Sequence, residues 1–218
     1  MRSLPTSILL FLLIISSVTA ADFKKGVIAY ESGDFKTAFQ EWYSLAEEGD
    51  VSAQYNIALM YDSGKGVAKD VIKAYYWYKK AAEQGDAKAQ YNIAAMNSLG
   101  DGVAKDVIKA FYWYKEAAEQ GHAKAQHTFG NVYDFGQGGV AKDEAKALFW
   151  YKKAAEQGHV HSQHLLGNMY EFGEVVDSAN SQSTSVGVAK DLYKAVYWYR
   201  KAAEQGHIVS QFNLANMY

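Results

Sequence analysis

Histidine is the only residue type in this sequence whose spacing suggests metal chemistry. His159, His161 and His164 lie close together, and the last two are three residues apart, so on a helix they face the same way. Neutral imidazole is a favoured ligand of zinc and copper. The trio has no fixed fourth ligand, and its spacing does not recur. We predict no resident metal and no other cofactor; adventitious metal binding by the three histidines stays open.

Other catalytic patterns are incomplete or missing. The loops Gly64–Gly66 and Gly100–Gly102 carry glycines as phosphate-binding loops do, but neither completes G-x-G-x-x-G or a Walker motif. The sequence has no G-x-S-x-G, no H-E-x-x-H and no cysteine. We interpret the loops as structural turns and predict that the protein is not an enzyme.

The elements that position these residues are copies of one helical segment. Residues 66–85, GVAKDVIKAYYWYKKAAEQG, return as 102–121, 139–158 and 187–206. In the first copy, five apolar residues at helical spacing predict one buried stripe: Ala74, Trp77, Tyr78, Ala81 and Ala82. Asp70 is placed to cap the start of the helix and Gly85 to end it.

Histidine and tryptophan could each suggest a binding function in the repeats, but their positions favour structural roles. His122, His159 and His207 directly follow the terminal glycine of a copy, where a polar residue predicts a cap for the next helix. The tryptophans could suggest a carbohydrate site, but they lie within the apolar stripe. We therefore predict core positions for Trp77, Trp113, Trp150 and Trp198.

The repeats also divide the chain. We predict a signal peptide, a divergent capping repeat, four full repeats and an incomplete repeat with only a first helix: 1–20, 21–50, 51–86, 87–122, 123–159, 160–207 and 208–218. The fourth full repeat carries a Ser/Asn-rich insert at 175–186 in the loop between its two helices.

The composition and the N-terminal sequence indicate where the protein is located and which partners it can bind. Arg2, the apolar run Ile8–Ile15 and the small residues up to Ala20 are typical of a signal peptide, so we predict export to the periplasm or secretion. Because cysteine is absent, packing rather than disulfides must stabilise the exported protein. The net charge is −2 and lysines alternate with glutamates, which argues against nucleic acid as a partner. After signal cleavage, no segment is apolar enough to span a membrane.

The repeat pattern resembles the Sel1-like repeat, a relative of the tetratricopeptide repeat. In the first full unit the match rests on these residues: Ala53, Ile57, Ala58, Tyr61, Gly64, Gly66, Val67, Asp70, Lys73, Ala74, Trp77, Tyr78, Ala81, Ala82 and Gly85. The resemblance implies an all-α, right-handed α-solenoid of antiparallel helix pairs that acts as a protein-binding scaffold. For exported bacterial members it also implies roles in the cell envelope or in host interaction.

The resemblance leaves a second functional class open. One exported branch of the family is cysteine-rich and has been described as penicillin-binding or β-lactamase-like. This chain has no cysteine and, after the leader, no Ser-x-x-Lys that could supply a nucleophile and its base. A hydrolase acting on β-lactams or cell-wall peptides is therefore the alternative hypothesis, resting on family analogy alone.

The best candidate site is the face that the first helices would present to a concave groove. Stacking as in tetratricopeptide arrays would place an aromatic row beside an asparagine row, which suits an extended peptide. The predicted groove residues are Tyr55, Leu59, Tyr91, His127, Asn131, His164, Asn168, Phe212 and Asn216. The competing interpretation is that these aromatic rings pack against neighbouring repeats.

Overall fold

The computed structural model describes residues 23–173 and 188–218, and these form eleven α-helices and no strands. The helices are α1 (23–31), α2 (Phe35–Glu47), α3 (Val51–Ser63), α4 (Val71–Glu83), α5 (Ala87–Leu99), α6 (Val107–Glu119), α7 (Ala123–Phe135), α8 (Glu144–Glu156), α9 (Val160–Phe172), α10 (Leu192–Glu204) and α11 (Ile208–Asn216). The predicted all-α fold is confirmed. The predicted signal peptide (1–20) and the insert (175–186) lie outside the described residues.

The chain separates into two compact units, Met1–Lys105 and Asp106–Tyr218. In the first unit each helix from α2 to α5 packs on the next, and in the second unit the same holds from α6 to α11. We call α3, α5, α7, α9 and α11 the first helices, and α4, α6, α8 and α10 the second helices. The surface that the first helices form within one unit is called the first-helix face.

Capping side chains set where the helices begin. Asp70 accepts hydrogen bonds from the backbone N–H groups of Ile72 and Lys73, at 3.1 and 3.0 Å. These bonds, led by the one from Lys73, hold the pKa of the Asp70 carboxyl below its usual range. The second helices α6, α8 and α10 start in the same way at Asp106, Asp143 and Asp191. The cap predicted at Asp70 is therefore confirmed and recurs.

The three predicted histidine caps are also confirmed. His122, His159 and His207 each accept through Nδ1 from the backbone N–H three residues later, at 3.2, 3.3 and 3.3 Å. In the first unit Asp50 and Asp86 cap α3 and α5 by accepting the equivalent backbone hydrogen bond. An imidazole with one acceptor nitrogen thus replaces a carboxylate that can only accept.

The predicted buried stripe is present, although its tryptophans differ in how far they are buried. Ala74, Tyr78 and Ala81 are almost completely buried, and Trp77 and Trp198 are 5% and 8% exposed. Trp113 and Trp150 are only half-buried. Trp150 packs in a T-shaped contact on Phe129 at 5.2 Å, and part of its ring stays open. The core position predicted for these two tryptophans therefore holds only in part.

The glycine loop between α3 and α4 is a structural turn, as predicted. Gly64 ends α3 with a φ of 72° and donates its N–H to the Met60 carbonyl at 2.9 Å. Gly66 also has a φ of 72°, and a Cβ there would overlap the Phe35 carbonyl oxygen. Only glycine combines a left-handed backbone with this close approach.

Glutamine pairs, each made of one buried and one exposed side chain, tie a repeat to the end of the repeat before it, which the sequence analysis missed. Gln54 is 3% exposed and donates to the Ala46 carbonyl at the end of α2. Its Oε1 accepts from Gln84 Nε2 at 2.8 Å. The arrangement recurs with Gln163 and Gln205, also at 2.8 Å. Each buried amide gives a carbonyl at the end of the preceding helix a second donor, beside the N–H of the glycine that follows that helix.

No helix within residues 23–173 and 188–218 combines the length and the apolar character that a membrane span requires.

Candidate functional site

In the first unit the predicted groove residues are partly packed and partly open. The Tyr55 ring lies 5.8 Å from the Tyr78 ring, and burial, followed by the charge of Asp86, raises the pKa of its phenol. Tyr91 is half-buried, whereas Leu59 is 38% exposed. Lys88 Nζ lies 6.0 Å from the Tyr55 ring centroid. Packing and exposure therefore coexist on this face.

In the second unit the predicted residues His127 and Asn131 belong to a hydrogen-bond relay. Tyr151 on α8 donates its hydroxyl hydrogen to Asn131 Oδ1 at 2.7 Å, and the hydroxyl also lies 3.0 Å from Asp134. Asn131 Nδ2 lies 3.4 Å from His127 Nε2. The relay continues from His127 Nδ1 to Ser162 Oγ at 2.9 Å. It therefore joins α8, α7 and α9.

A fixed donor determines the tautomer at the end of the relay. The backbone N–H of Ser162 can only donate, so Nδ1 of His159 accepts and neutral His159 carries its proton on Nε2. Ser162 Oγ also lies 3.0 Å from His159 Nδ1 and donates to it. His127 then donates from Nδ1 to Ser162 Oγ, and its Nε2 accepts from Asn131. Each link of the relay from Asn131 to His159 thus pairs a donor with an acceptor, which favours one fixed arrangement of these side chains.

The same relay occurs a second time with the next pair of helices. Tyr199 donates to Asn168 Oδ1 at 2.6 Å and lies 2.5 Å from Glu171 Oε2. Asn168, His164 and Ser210 follow at 3.3 and 3.0 Å, and Ser210 Oγ lies 2.9 Å from Nδ1 of His207. His207 therefore also carries its proton on Nε2. The two relays are equivalent residue by residue.

The first unit lacks this relay because every link except the tyrosine is replaced. The positions equivalent to Tyr151, Asn131, His127, Ser162 and His159 hold Tyr78, Leu59, Tyr55, Ala89 and Asp86. The helix residue before the asparagine also differs: Gly130 and Gly167 stand where the first unit has Ala58. A Cβ on Gly130 would lie 2.6 Å from the Tyr151 ring, so the glycine allows the tyrosine to reach the amide.

Five imidazoles lie in sequence along the first-helix face of the second unit, and we call them the histidine row. They are His127, His159, His161, His207 and His164, with successive ring-centroid distances of 4.6, 6.0, 5.5 and 4.7 Å. Burial, reinforced by His159 and His161, lowers the pKa of His127 to about 4. Burial is also the largest cause of the lowered pKa values of His159, His164 and His207.

The predicted metal trio is divided between two places. His159 and His161 are neighbours at 6.0 Å, but His164 pairs with His207. In the described part of the chain no group of three or more His, Cys, Asp or Glu side chains is placed to hold a metal ion. The capping bonds also occupy the Nδ1 lone pairs of His159 and His207, and their Nε2 atoms carry hydrogen, so a metal would have to break a cap.

The last two predicted groove residues lie on α11. Phe212 is 65% exposed, and Asn216 is exposed as well. The predicted groove residues therefore differ in environment: His127, Asn131, His164 and Asn168 are held in relays, and Leu59, Phe212 and Asn216 face solvent.

The buried serines of the relays were missed by sequence analysis. Ser162 and Ser210 are 0% exposed and hydrogen-bond to two imidazoles each. Serine beside histidine is the arrangement of a nucleophile and its base. Complete burial prevents a substrate carbonyl from reaching either hydroxyl, so here the pairs are structural.

These features define the class of protein: an all-α repeat protein in which, within each unit, successive helices pack on one another. A family model described as the Sel1 repeat matches residues 51–86, 87–122, 123–159 and 160–207. The chain belongs to the Sel1 repeat family, and its fold is the α-solenoid fold of that family. No protein with a curated functional description matches the chain.

Solved structures agree with this assignment. A Sel1 repeat protein from Oxalobacter formigenes is 32% identical with a TM-score of 0.77, over 90% of this chain and 75% of that one. The protein c5321, a protective antigen present in uropathogenic Escherichia coli strains with an SLR fold, is 33% identical with a TM-score of 0.75. That match covers 92% of this chain but only 41% of the antigen. The immunity protein PA5088 from Pseudomonas aeruginosa, at 22% identity and a TM-score of 0.52, shares the fold.

Proposed function

We propose that this protein is an exported, non-catalytic scaffold whose first-helix faces bind an extended segment of another protein. Sel1 repeats generally mediate protein interactions and are generally non-catalytic. Export is supported by the N-terminal pattern from Arg2 to Ala20. A role in the cell envelope or in host interaction is in keeping with an exported scaffold.

One observation supports the first-helix face over other surfaces. In the second unit its polar side chains are fixed by two complete relays before any partner arrives. Asn131 uses one N–H and one oxygen lone pair within its relay, so a second N–H and a second lone pair remain. Such an amide can pair with a peptide backbone without losing much side-chain entropy, which favours affinity. Asn168 is held in the same way.

The hydrolase alternative receives no support from the relay serines, because Ser162 and Ser210 are inaccessible. A chromogenic β-lactam tests that alternative directly. The scaffold account predicts no saturable hydrolysis, and clear turnover would refute its non-catalytic part.

A capture experiment tests the interaction face. The mature protein and the double variant Tyr55→Ala/Tyr91→Ala would be compared for retention of partners from envelope and culture-supernatant fractions. The control is Tyr76→Ala/Tyr112→Ala on the second helices, where the rings are 49% and 51% exposed. We expect loss of a partner only with the first-helix variant, while circular dichroism shows all three proteins folded. Loss only with the control would place the site on the second helices.

A further inference from the structure

Each relay of the second unit ends beside a carboxylate, and together with that carboxylate it forms a chain of five links. In the first relay the links join, in order, Asp134, Tyr151, Asn131, His127, Ser162 and His159, at 3.0, 2.7, 3.4, 2.9 and 3.0 Å. Both ends of the chain only accept, because the ionised carboxylate has no hydrogen and Nδ1 of His159 receives a capping N–H. All hydrogens in the links must therefore come from the side chains between the two ends.

With an uncharged His127 ring, this chain has one hydrogen too few. The two hydroxyl groups and the ring supply one hydrogen each. The Asn131 amide also supplies one, because it uses its nitrogen in one link and its oxygen in the next. In the arrangement described above, the link without a hydrogen is the one between Asp134 and Tyr151. Two oxygens then face each other at 3.0 Å with no hydrogen between them, which is unfavourable.

The second relay has the same shortage, and its distances show it more clearly. Its links run, in order, through Glu171, Tyr199, Asn168, His164, Ser210 and His207. The Tyr199 hydroxyl has a single hydrogen, yet oxygens of Asn168 and Glu171 lie 2.6 and 2.5 Å from it. Both distances are typical of links that contain a hydrogen. The second relay therefore has the spacing of a chain that holds one more hydrogen.

The atom that can take the additional proton is Nε2 of His127. It accepts from the Asn131 amide and so has a lone pair, whereas Nδ1 of the same ring already carries hydrogen. A half-turn of the amide exchanges its nitrogen and its oxygen, which are nearly the same size. The amide oxygen then accepts from the protonated ring, the amide nitrogen donates to Tyr151, and Tyr151 donates to Asp134. No helix cap is broken, because Nδ1 of His159 keeps its backbone N–H.

We propose that each relay is a one-proton switch, in which protonation of His127 or His164 turns the neighbouring asparagine amide and completes the hydrogen-bond chain to the carboxylate. The proton comes from solvent and forms one new N–H bond on the ring. The tyrosine hydroxyl keeps its hydrogen and turns it from the amide oxygen to the carboxylate. The ring receives the proton because imidazole is ordinarily a stronger base than a carboxylate, by roughly 2.5 pKa units.

The surroundings of His127 place the first switch in the acid range. Burial, followed by the neighbouring imidazoles of His159 and His161 on α9, lowers the pKa of His127 to about 4. On α8, the relay tyrosine packs on the ring at a centroid distance of 5.7 Å. On α6, the other helix packed on α7, Lys109 and Lys115 form ion pairs with nearby acids.

The second switch has similar surroundings. Burial, followed by His207 on α11 and His161 on the same helix, lowers the pKa of His164. The relay tyrosine of α10 lies 5.9 Å from the ring. On α8, which also packs on α9, Lys146 and Lys152 form ion pairs with nearby acids.

The switch would change the surface that the second unit presents. The Asn131 amide keeps one N–H and one oxygen lone pair outside the relay, and the half-turn exchanges their positions. A peptide backbone paired with the amide at neutral pH would then meet the reversed pattern in acid. This effect on a partner rests on the proposed function, whereas the switch itself does not. In the first unit Tyr55 and Leu59 stand at the histidine and asparagine positions, so that unit should not respond.

Heteronuclear NMR of the protein with isotope-labelled histidine and asparagine tests the switch between about pH 7 and about pH 4. The spectra separate the two neutral tautomers of each ring from the imidazolium form. The spectrum of His127→Gln assigns the His127 signals, and circular dichroism confirms that the protein stays folded. We expect His127 to carry hydrogen on Nδ1 at neutral pH and to become imidazolium in acid. The side-chain amide signals of Asn131 should move at the same midpoint.

Tyr151→Phe keeps the charge of Asp134 but removes the hydroxyl that links it to the amide. We expect the midpoint of His127 to fall by about one pH unit, the equivalent of one hydrogen bond. The matched control is Tyr78→Phe, the equivalent change in the first unit, which should leave the midpoint unchanged. Asp134→Asn supplies the missing hydrogen from its own amide. This second variant should also lower the midpoint of His127, and it should unfold in urea at neutral pH no more easily than the parent.

Several results would overturn the inference. They are hydrogen on Nε2 rather than Nδ1 of His127 at neutral pH, Asn131 signals that move at a different midpoint, and an unchanged midpoint in either variant. Unfolding of the parent before His127 gains its proton would overturn it as well. None of these measurements involves a partner, so such a failure leaves the proposed function standing. Partner capture that did not depend on Tyr55 and Tyr91 would refute the proposed function and leave the switch intact.

Discussion

Replacement of Gly130 by alanine separates two physical effects that act in opposite directions. Alanine is favoured over glycine in a helix interior by about 1 kcal/mol, so helix propensity alone predicts stabilisation. The structure predicts the reverse. The added Cβ would lie 2.6 Å from Cδ1 and Cε1 of Tyr151, about 1 Å inside the ordinary carbon–carbon separation of roughly 3.5–4.0 Å.

The ring cannot move away without a cost. Its hydroxyl is held at 2.7 Å from Asn131 and at 3.0 Å from Asp134. Overpacking of a core costs about 1–3 kcal/mol, and a weakened hydrogen bond adds about 1 kcal/mol. After subtraction of the gain in helix propensity, we expect Gly130→Ala to lower the free energy of unfolding by about 1–3 kcal/mol.

Urea unfolding followed by circular dichroism measures this difference. The matched control is Ala58→Gly in the first unit, where the relay is absent and a methyl group is already accommodated. That change should cost roughly 1 kcal/mol because it restores glycine's backbone entropy. A gain in stability for Gly130→Ala would refute the close-packing argument.

Five further changes have expected outcomes. The free energy of unfolding should fall as pH drops from about 6.5 towards 4, because His127 binds its proton near 6.5 when unfolded but only near 4 when folded. We expect a decrease of about 1–2 kcal/mol after allowance for partial exposure of the ring. Urea unfolding across that pH range measures it. His127→Gln should flatten that profile. Trp198→Ala should cost roughly 3–5 kcal/mol, and an unchanged melting temperature would contradict its burial. Asp191→Ala should lower the melting temperature, because α10 loses the side chain that caps its first turn. Asn97→Leu should raise the free energy of unfolding by about 1 kcal/mol, and the melting temperature with it. The reason is that the buried Oδ1 of Asn97 has no hydrogen-bond partner among the described residues.

The fold could be predicted because its determinants are local and repeated. Asp70, the stripe that contains Ala74 and Trp77, and the loop glycine Gly64 specify a helix start, a buried face and a turn within 20 residues or so. Repetition then identifies the family. The exposure of Trp113 and Trp150 could not be predicted, because it depends on which side chains the neighbouring helices offer.

The relays could not be predicted for a different reason. Ser162 lies 35 residues from His127, and their contact exists only after two helices pack. A signal was nevertheless present: Gly130-Asn131 and Gly167-Asn168 occur in the repeats that also carry a histidine three residues before the glycine. Residues that change together from one repeat to the next indicate a shared contact. Compared across repeats, this pattern predicts the network, although a single repeat does not.

Site-specific photo-crosslinking in cells that produce the protein tests the central claim most directly. One variant would carry a photoreactive phenylalanine at Leu59 on α3, and the other at Tyr112 on α6; the native side chains are 38% and 51% exposed. The account predicts a crosslinked partner from residue 59 and none from residue 112. A partner captured at residue 112 and not at residue 59 would contradict binding through the first-helix face.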